Sequence, residues 1–167
     1  MSLAETFIAE LTQEAKTTRK VLERVPEEHL SWRPHPKSTT LGALAYHLAI
    51  LPRAIADLLR NEETGVPQFT LPEGTPVAEV LSTLDASVPY AVDALRRWGD
   101  EGLAASWRMA HEGRTIMEMP RLAMVRNVML NHSYHHRGQL TVYLRMLEVP
   151  LPVVYGPTAD ENPFAGS

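Results

Sequence analysis

The sequence predicts an all-α protein, a four-helix bundle formed by a single domain over residues 1–167. Three observations favour this class. Four long segments repeat apolar residues every three or four positions, prolines and glycines separate these segments, and alternating apolar and polar residues, the mark of a strand, are not evident. A length of 167 residues suits one domain with a sizeable core.

The first helix is predicted from Leu3 to Arg24, because the following Val25-Pro26 disfavours helical backbone. The second begins after Thr39 or Thr40 as N-cap and continues to about Asn61. Its first part, residues 41–52, carries no formal charge. We therefore expect this part to be buried on most sides.

Thr75 and Pro76 are expected to open the third helix as cap and first helical residue, and Gly99 to close it. Residues 102–119 show no clear pattern, and we expect a turn at 111–114 within a loop across one bundle end. The fourth helix is predicted from Pro120 to Glu148. The proline-containing tail, residues 151–167, should be ordered only where it lies against the bundle.

Composition limits the possible functions. A formal charge of −4 without a basic stripe argues against nucleic-acid binding. No uncharged apolar run approaches the length needed to cross a bilayer, so we expect a cytoplasmic protein without membrane contact. The chain has no cysteine, which excludes disulfides, thiolate metal sites and a cysteine nucleophile. Any metal must therefore bind nitrogen and oxygen ligands, of which the seven histidines are the main nitrogen donors.

Three histidines form a candidate metal site. His132 and His136 are four residues apart, so their side chains share one face of the fourth helix at apolar positions of its inward stripe. His47 lies in the uncharged part of the second helix and is the expected third ligand. Three histidines around an open position are typical of a catalytic zinc site.

A structural interpretation stays open beside this one. Histidine pairs at this spacing are common on surfaces, and a lone buried histidine is usually a core residue whose hydrogen bonds are satisfied. The free-energy cost of burial favours the metal interpretation. Three inward imidazoles are unfavourable to bury without a partner, and residues 119–147 contain no acidic side chain that could pair with them. His135 lies off the shared face, so we expect it to contact a ligand ring or face solvent.

Further polar residues are candidates to orient substrate or to hold the second nitrogen of a ligand imidazole. They are Tyr46, Asn131, Tyr134 and Gln139. Asp160 and Glu161 in the tail could also reach the site.

Two stretches resemble a known family. One runs from Trp32-Arg33-Pro34-His35-Pro36-Lys37-Ser38 through Leu41-Gly42 to His47. The other is His132-Ser133-Tyr134-His135-His136-Arg137-Gly138-Gln139-Leu140, followed by Tyr143-Leu144-Arg145, Pro150-Leu151-Pro152 and Tyr155-Gly156. With these motifs the chain resembles the DinB/YfiT-like family, which is distinct from the DNA polymerase of similar name.

The resemblance implies a four-helix bundle, often a homodimer, with nickel or zinc on a histidine triad that matches His47, His132 and His136. Members include thiol-dependent S-transferases and a mycothiol-dependent isomerase. The expected function is thus a metal-dependent enzyme that activates water or a low-molecular-weight thiol toward a small-molecule substrate. A metal-dependent hydrolase and a non-catalytic, stress-related binding scaffold remain the alternatives.

Overall fold

The computed structural model describes residues 1–68 and 70–164. Three helices have simple bounds: α1 is Leu3–Leu22, α2 is Leu41–Leu58 and α3 is Val77–Ala104. The fourth, α4, covers residues 121–146 in three consecutive parts, an α-helical turn Arg121–Met124, a π-helical segment Val125–Asn131 and an α-helix His132–Met146. A 3-10 turn, Glu27–His29, follows α1.

The prediction of a purely all-α protein is incomplete, because a small sheet accompanies the helices. Its strands are β1 (Glu63–Gly65), β2 (Ser106–His111) and β3 (Arg114–Pro120), in the order β1-β2-β3. β1 pairs parallel to β2, and β2 pairs antiparallel to β3. Most residues of β3 are exposed, so these strands lack the alternating apolar face that identifies a strand in a sequence.

The predicted turn at residues 111–114 is the connection of the β2–β3 hairpin. Its two central residues, Glu112 and Gly113, have φ angles of 49° and 75°. Positive φ at both positions is typical of the two-residue turn whose twist matches that of the flanking strands.

α3 was predicted to end at Gly99, but the helix continues beyond this residue. Gly99 has a φ of 56° and kinks the helix, which then continues to Ala104. Without a Cβ, glycine adopts this conformation at little cost. After the kink, the Asp100 carboxylate accepts hydrogen bonds from the backbone N–H groups of Leu3 and Ala4 at 3.1 and 2.9 Å. The kink thereby joins α3 to the first turn of α1.

The remaining helix ends differ from the prediction by one to three residues. α1 ends at Leu22 and α2 at Leu58, while α3 begins at Val77 with Pro76 as its N-cap. α4 begins at Arg121 rather than at Pro120, which occupies its N-cap, and ends at Met146. Thr40 is the N-cap of α2, and its hydroxyl accepts from the Ala43 N–H at 3.3 Å.

The sheet is attached to the C-terminal end of α2. The fully buried Trp107 of β2 donates its indole N–H to the carbonyl oxygen of Leu58 at 3.2 Å. Arg121, at the start of α4, donates its Nε–H to the carbonyl oxygen of Leu59 at 2.9 Å. The last carbonyls of a helix have no partner within the helix, so both bonds satisfy the end of α2. The first fixes the sheet against α2, and the second fixes the start of α4 there.

Two apolar clusters form the core, one toward the sheet and one toward the opposite end of the bundle. α2 contributes Leu51 to the first cluster and Leu48 to the second, and α4 contributes Leu130 and Leu140 in the same way. The histidines of these two helices therefore lie where the clusters meet.

α2 is long and apolar enough to cross a membrane by length and composition alone. However, 61% of this segment is buried against the rest of the protein. That burial is what the central helix of a packed bundle shows, and α2 packs on both α3 and α4.

Two charged pairs join α1 to α4. Arg137 donates to the Glu14 carboxylate at 2.6 Å, and Arg126 donates to both oxygens of Glu10 at 2.7 and 2.8 Å. The first pair is the more deeply buried, with side-chain exposures of 2% for Arg137 and 18% for Glu14, against 40% and 28% for Arg126 and Glu10. Tyr155 of the tail covers the buried pair and donates its hydroxyl to Glu14.

We expect Glu14→Ala to destabilise the protein far more than Glu10→Ala. Removal of Glu14 leaves a buried guanidinium without its anion, which should lower the free energy of unfolding by about 3 kcal/mol. Removal of Glu10 from the more exposed pair should cost about 1 kcal/mol or less. Urea unfolding of both variants measures the difference, and equal losses would contradict the role given to burial.

Candidate metal centre

The structure brings the three predicted ligands together. The Nε2 atom of His132 lies 3.1 Å from Nε2 of His47 and 2.8 Å from Nε2 of His136. One ligand atom from each of the three rings lies within 4.8 Å of the others. Two helices thus supply a single cluster of nitrogen atoms.

Local helix geometry explains how these side chains meet. His132 and His136 are one turn apart in the last part of α4, so both rings project from the same side, with centroids 4.2 Å apart. On α2, Leu48 and Ala49 are buried in the core beside His47 and hold that helix against the bundle. His47 then faces α4 across the interface between the two helices.

Gln139 defines which nitrogen of His136 carries the proton. The Nδ1 atom of His136 lies 2.7 Å from Oε1 of Gln139, and an amide oxygen only accepts. Nδ1–H is therefore the donor, and the neutral ring keeps its lone pair on Nε2, which faces the other two histidines.

The histidines stay neutral near pH 7. Burial lowers the pKa of His47 from 6.5 to about 4, with further lowering by the nearby His136 and His132 rings. Burial is also the main reason why the pKa values of His132 and His136 are lowered. Neutral imidazoles are the form that binds metals, so protons compete less with a cation here than they would at exposed histidines.

The three residues fit a divalent cation. Metal–imidazole bonds are about 2.0–2.1 Å for zinc, so the spacing of the Nε2 atoms suits ligands of one ion. In the described part of the chain, the only hydrogen-bond partners of these rings are one another and Gln139. A cation would replace these contacts between the rings and accept a lone pair from each of the three histidines.

Comparisons with known proteins identify the family of this chain. The model of the DinB family matches residues 1–162. This chain belongs to the DinB family. It is 27% identical over 158 residues to the uncharacterized protein YrdA of Bacillus subtilis strain 168. The match covers 93% of this chain and 89% of YrdA.

Two solved DinB-like structures share the fold. A DinB-like protein from Bacillus cereus ATCC 10987 has a TM-score of 0.70 and 27% identity, covering 90% of this chain and 97% of the other. The DinB-like protein YjoA from Bacillus subtilis has a TM-score of 0.68 and 18% identity, covering 89% and 96%. At that identity the second likeness concerns the fold alone.

An apolar cavity of about 260 Å³ adjoins the histidines of this DinB-family protein. His47 and His132 line one side, and aliphatic side chains line the rest, namely Ile50, Leu51, Ala54, Ile55, Leu71 and Val128. A ligand in this cavity would contact two of the three rings directly.

The other predicted site residues lie at different places. Tyr46 is half-buried against the core cluster away from the sheet, and Asn131 is exposed. Tyr134 donates its hydroxyl to Glu10 at 2.7 Å, so this hydroxyl engages α1; burial and the Glu10 carboxylate raise its pKa. Gln139, of the four, directly contacts a histidine of the cluster. Whether any of them contacts substrate stays a prediction.

His135 and the tail acids lie outside the cluster. His135 is exposed, and its ring packs edge-on against His136 at 5.1 Å between centroids. Asp160 pairs with Arg145, and Glu161 pairs with Arg24 at 2.6 Å. These surface pairs hold residues 151–164 against the bundle, while residues 165–167 of the predicted tail lie outside the described part.

Two features of the site were not predicted from the sequence. One is the π-helical segment Val125–Asn131, which ends directly before His132; such segments are frequent at functional sites. The other is the apolar lining of the cavity. The uncharged stretch around His47 could have indicated Ile50 and Leu51, whereas nothing in the sequence places Leu71 beside them.

We expect His132→Ala and His136→Ala to abolish tight binding of zinc or nickel while the helical content changes little, because each removes one of three ligands. His135→Ala, a matched change in the same helix, should leave binding intact. Metal content by elemental analysis and helicity by circular dichroism measure both effects. Loss of metal in His135→Ala but not in His136→Ala would show the ligand assignment to be wrong.

Proposed function

We propose that this protein is a metal-dependent enzyme that brings a low-molecular-weight thiol to an electrophilic small-molecule substrate. The observation that carries the proposal is the convergence of three neutral Nε2 atoms beside an apolar cavity. A bound divalent cation would supply a Lewis acid that lowers the pKa of a coordinated thiol or water.

The surroundings of the triad favour a thiol over water. A thiol has an unperturbed pKa of about 8.5, against 15.7 for water, and needs less help to lose its proton. Among the described residues, no Asp or Glu lines the cavity beside the triad, so no carboxylate is placed there to take a proton from bound water. The chain has no cysteine, so the thiol must be a cosubstrate.

The residues of the chain have separate roles in this proposal. His47 and His132 present their rings to the cavity, and Gln139 fixes the ring of His136 by accepting from Nδ1–H. The aliphatic walls exclude water from the reacting groups, so that water does not compete with the thiolate for the electrophilic substrate.

Zinc and nickel are the proposed metals. A set of three imidazoles without carboxylate or thiolate suits both ions, and selection between them depends on geometry and availability as well as on affinity. We further propose a cytoplasmic homodimer that binds neither nucleic acid nor membrane. The formal charge of −4 and the burial of α2 support the last two points.

We expect the zinc- or nickel-loaded protein to bind 2-mercaptoethanol in a calorimetric titration, and the His47→Ala variant to lose this binding. Ethylene glycol, which has a hydroxyl in place of the thiol, should bind at least about tenfold more weakly because its pKa is far higher. The exposed His111→Ala variant is the matched control and should behave as the wild type.

Turnover then separates the alternatives. Consumption of 1-chloro-2,4-dinitrobenzene, with thioether formation and chloride release, should require the thiol. Cleavage of p-nitrophenyl acetate without thiol, together with equal binding of both alcohol and thiol, would favour the hydrolase. A metal-loaded protein that binds neither ligand would favour the non-catalytic scaffold.

A further inference from the structure

A second apolar cavity, of about 290 Å³, lies between the sheet and the first part of α4. Four of the seven methionines of the chain line it, Met109, Met117, Met119 and Met124. Methionine side chains are flexible and polarisable, and they adapt to apolar ligands of different shape. β2, β3 and α4 thus all contribute methionine side chains to the wall of this cavity.

The two cavities share a boundary. Ile55 of α2 and Val128 of α4 line both of them. Ile55 is eight residues beyond His47, about 12 Å along the helix axis. An apolar lining therefore extends from the triad, past these two side chains, to the methionines. Together the cavities reach the usual size of ligand pockets, about 300–1,000 Å³.

The walls exclude charged ligands along this path. Neither cavity is lined by a Lys, Arg, Asp or Glu among the described residues, and Asn127 is the polar residue of the second cavity. A charged group placed there would lose its hydration without gaining a partner. An apolar chain would instead gain free energy with each carbon that leaves water.

Three of the four cavity methionines are more exposed than the core residue Met129, whereas Met124 is buried, with an exposure of 4%. Met129 is fully buried, as expected for a residue that only fills space. Met117 is 39% exposed, and Met109 and Met119 are half-buried. Exposed methionine side chains beside an apolar cavity leave it accessible from the surface.

From this geometry we infer that the substrate carries an apolar chain attached to its reactive polar group. The polar group lies at the triad, and the chain passes between Ile55 and Val128 to the four methionines. The position of the polar group rests on the proposed function, whereas binding of the chain does not require the metal.

The first experiment tests the chain alone, with n-octanol added to metal-free protein labelled with ¹³C at the methionine methyl groups. Octanol should shift the NMR signals of the four cavity methionines and leave that of Met146, an exposed residue at the end of α4, unchanged. No shift at the cavity methionines would overturn the inference, whatever the metal does.

The second experiment tests the connection to the triad, with acetohydroxamate and octanohydroxamate as metal-binding probes of zinc-loaded protein. Octanohydroxamate should bind more tightly, by about fourfold for each methylene that enters the cavities. Val128→Phe should reduce this gain by narrowing the passage, whereas Val142→Phe on the exposed face of α4 should not. If Val128→Phe does not fold, Met117→Gln at the partly exposed end serves instead.

The outcomes separate the inference from the proposed function. Binding of acetohydroxamate without any gain from the longer chain would overturn the inference and leave the metal site standing. Octanol shifts at the methionines with no binding of either hydroxamate would overturn the proposed function and leave the apolar path standing.

Discussion

The packing of α2 against α4 creates the constraint on which this structure depends, because it places three neutral imidazoles in contact. His132 Nε2 lies within hydrogen-bond distance of the corresponding atoms of His47 and His136. Lone pairs that face one another in a half-buried site are unfavourable unless a proton or a cation lies between them. Burial lowers the pKa values of the rings and so disfavours a charged imidazolium in the cluster. A divalent cation would satisfy all three Nε2 lone pairs at once.

The charges of the bundle are arranged so that this cluster stays free of carboxylates. Arginines of α4 point toward α1, where Glu10 and Glu14 neutralise Arg126 and Arg137. The tail acids engage other arginines at the surface. α4 is thereby divided into a face that carries ion pairs and a face that carries histidines and apolar groups. The second face borders the cavities, which is why a neutral ligand environment extends from the triad to the sheet.

Much of the fold was accessible from the sequence because periodicity and capping are local. The four helices are in the expected order, and the histidine cluster followed from a four-residue spacing and an uncharged helix segment. Other features depend on contacts distant in the sequence. β2 and β3 are stabilised by pairing and by Trp107, not by an alternating pattern, and the extension of α3 beyond Gly99 depends on Asp100 reaching α1. Tyr134 was a candidate to orient substrate or a ligand ring; its hydroxyl donates to Glu10 of α1, and a contact with substrate stays a prediction.

The central claim is that one divalent cation binds simultaneously to His47, His132 and His136, and X-ray crystallography of zinc- or nickel-loaded protein tests it most directly. Diffraction data collected on both sides of the absorption edge of the metal locate the ion without assumptions about the ligands. The expected result is a single anomalous peak about 2.0–2.1 Å from Nε2 of all three histidines. A loaded crystal with no peak between α2 and α4, or with the ion bound by other residues, would contradict the claim.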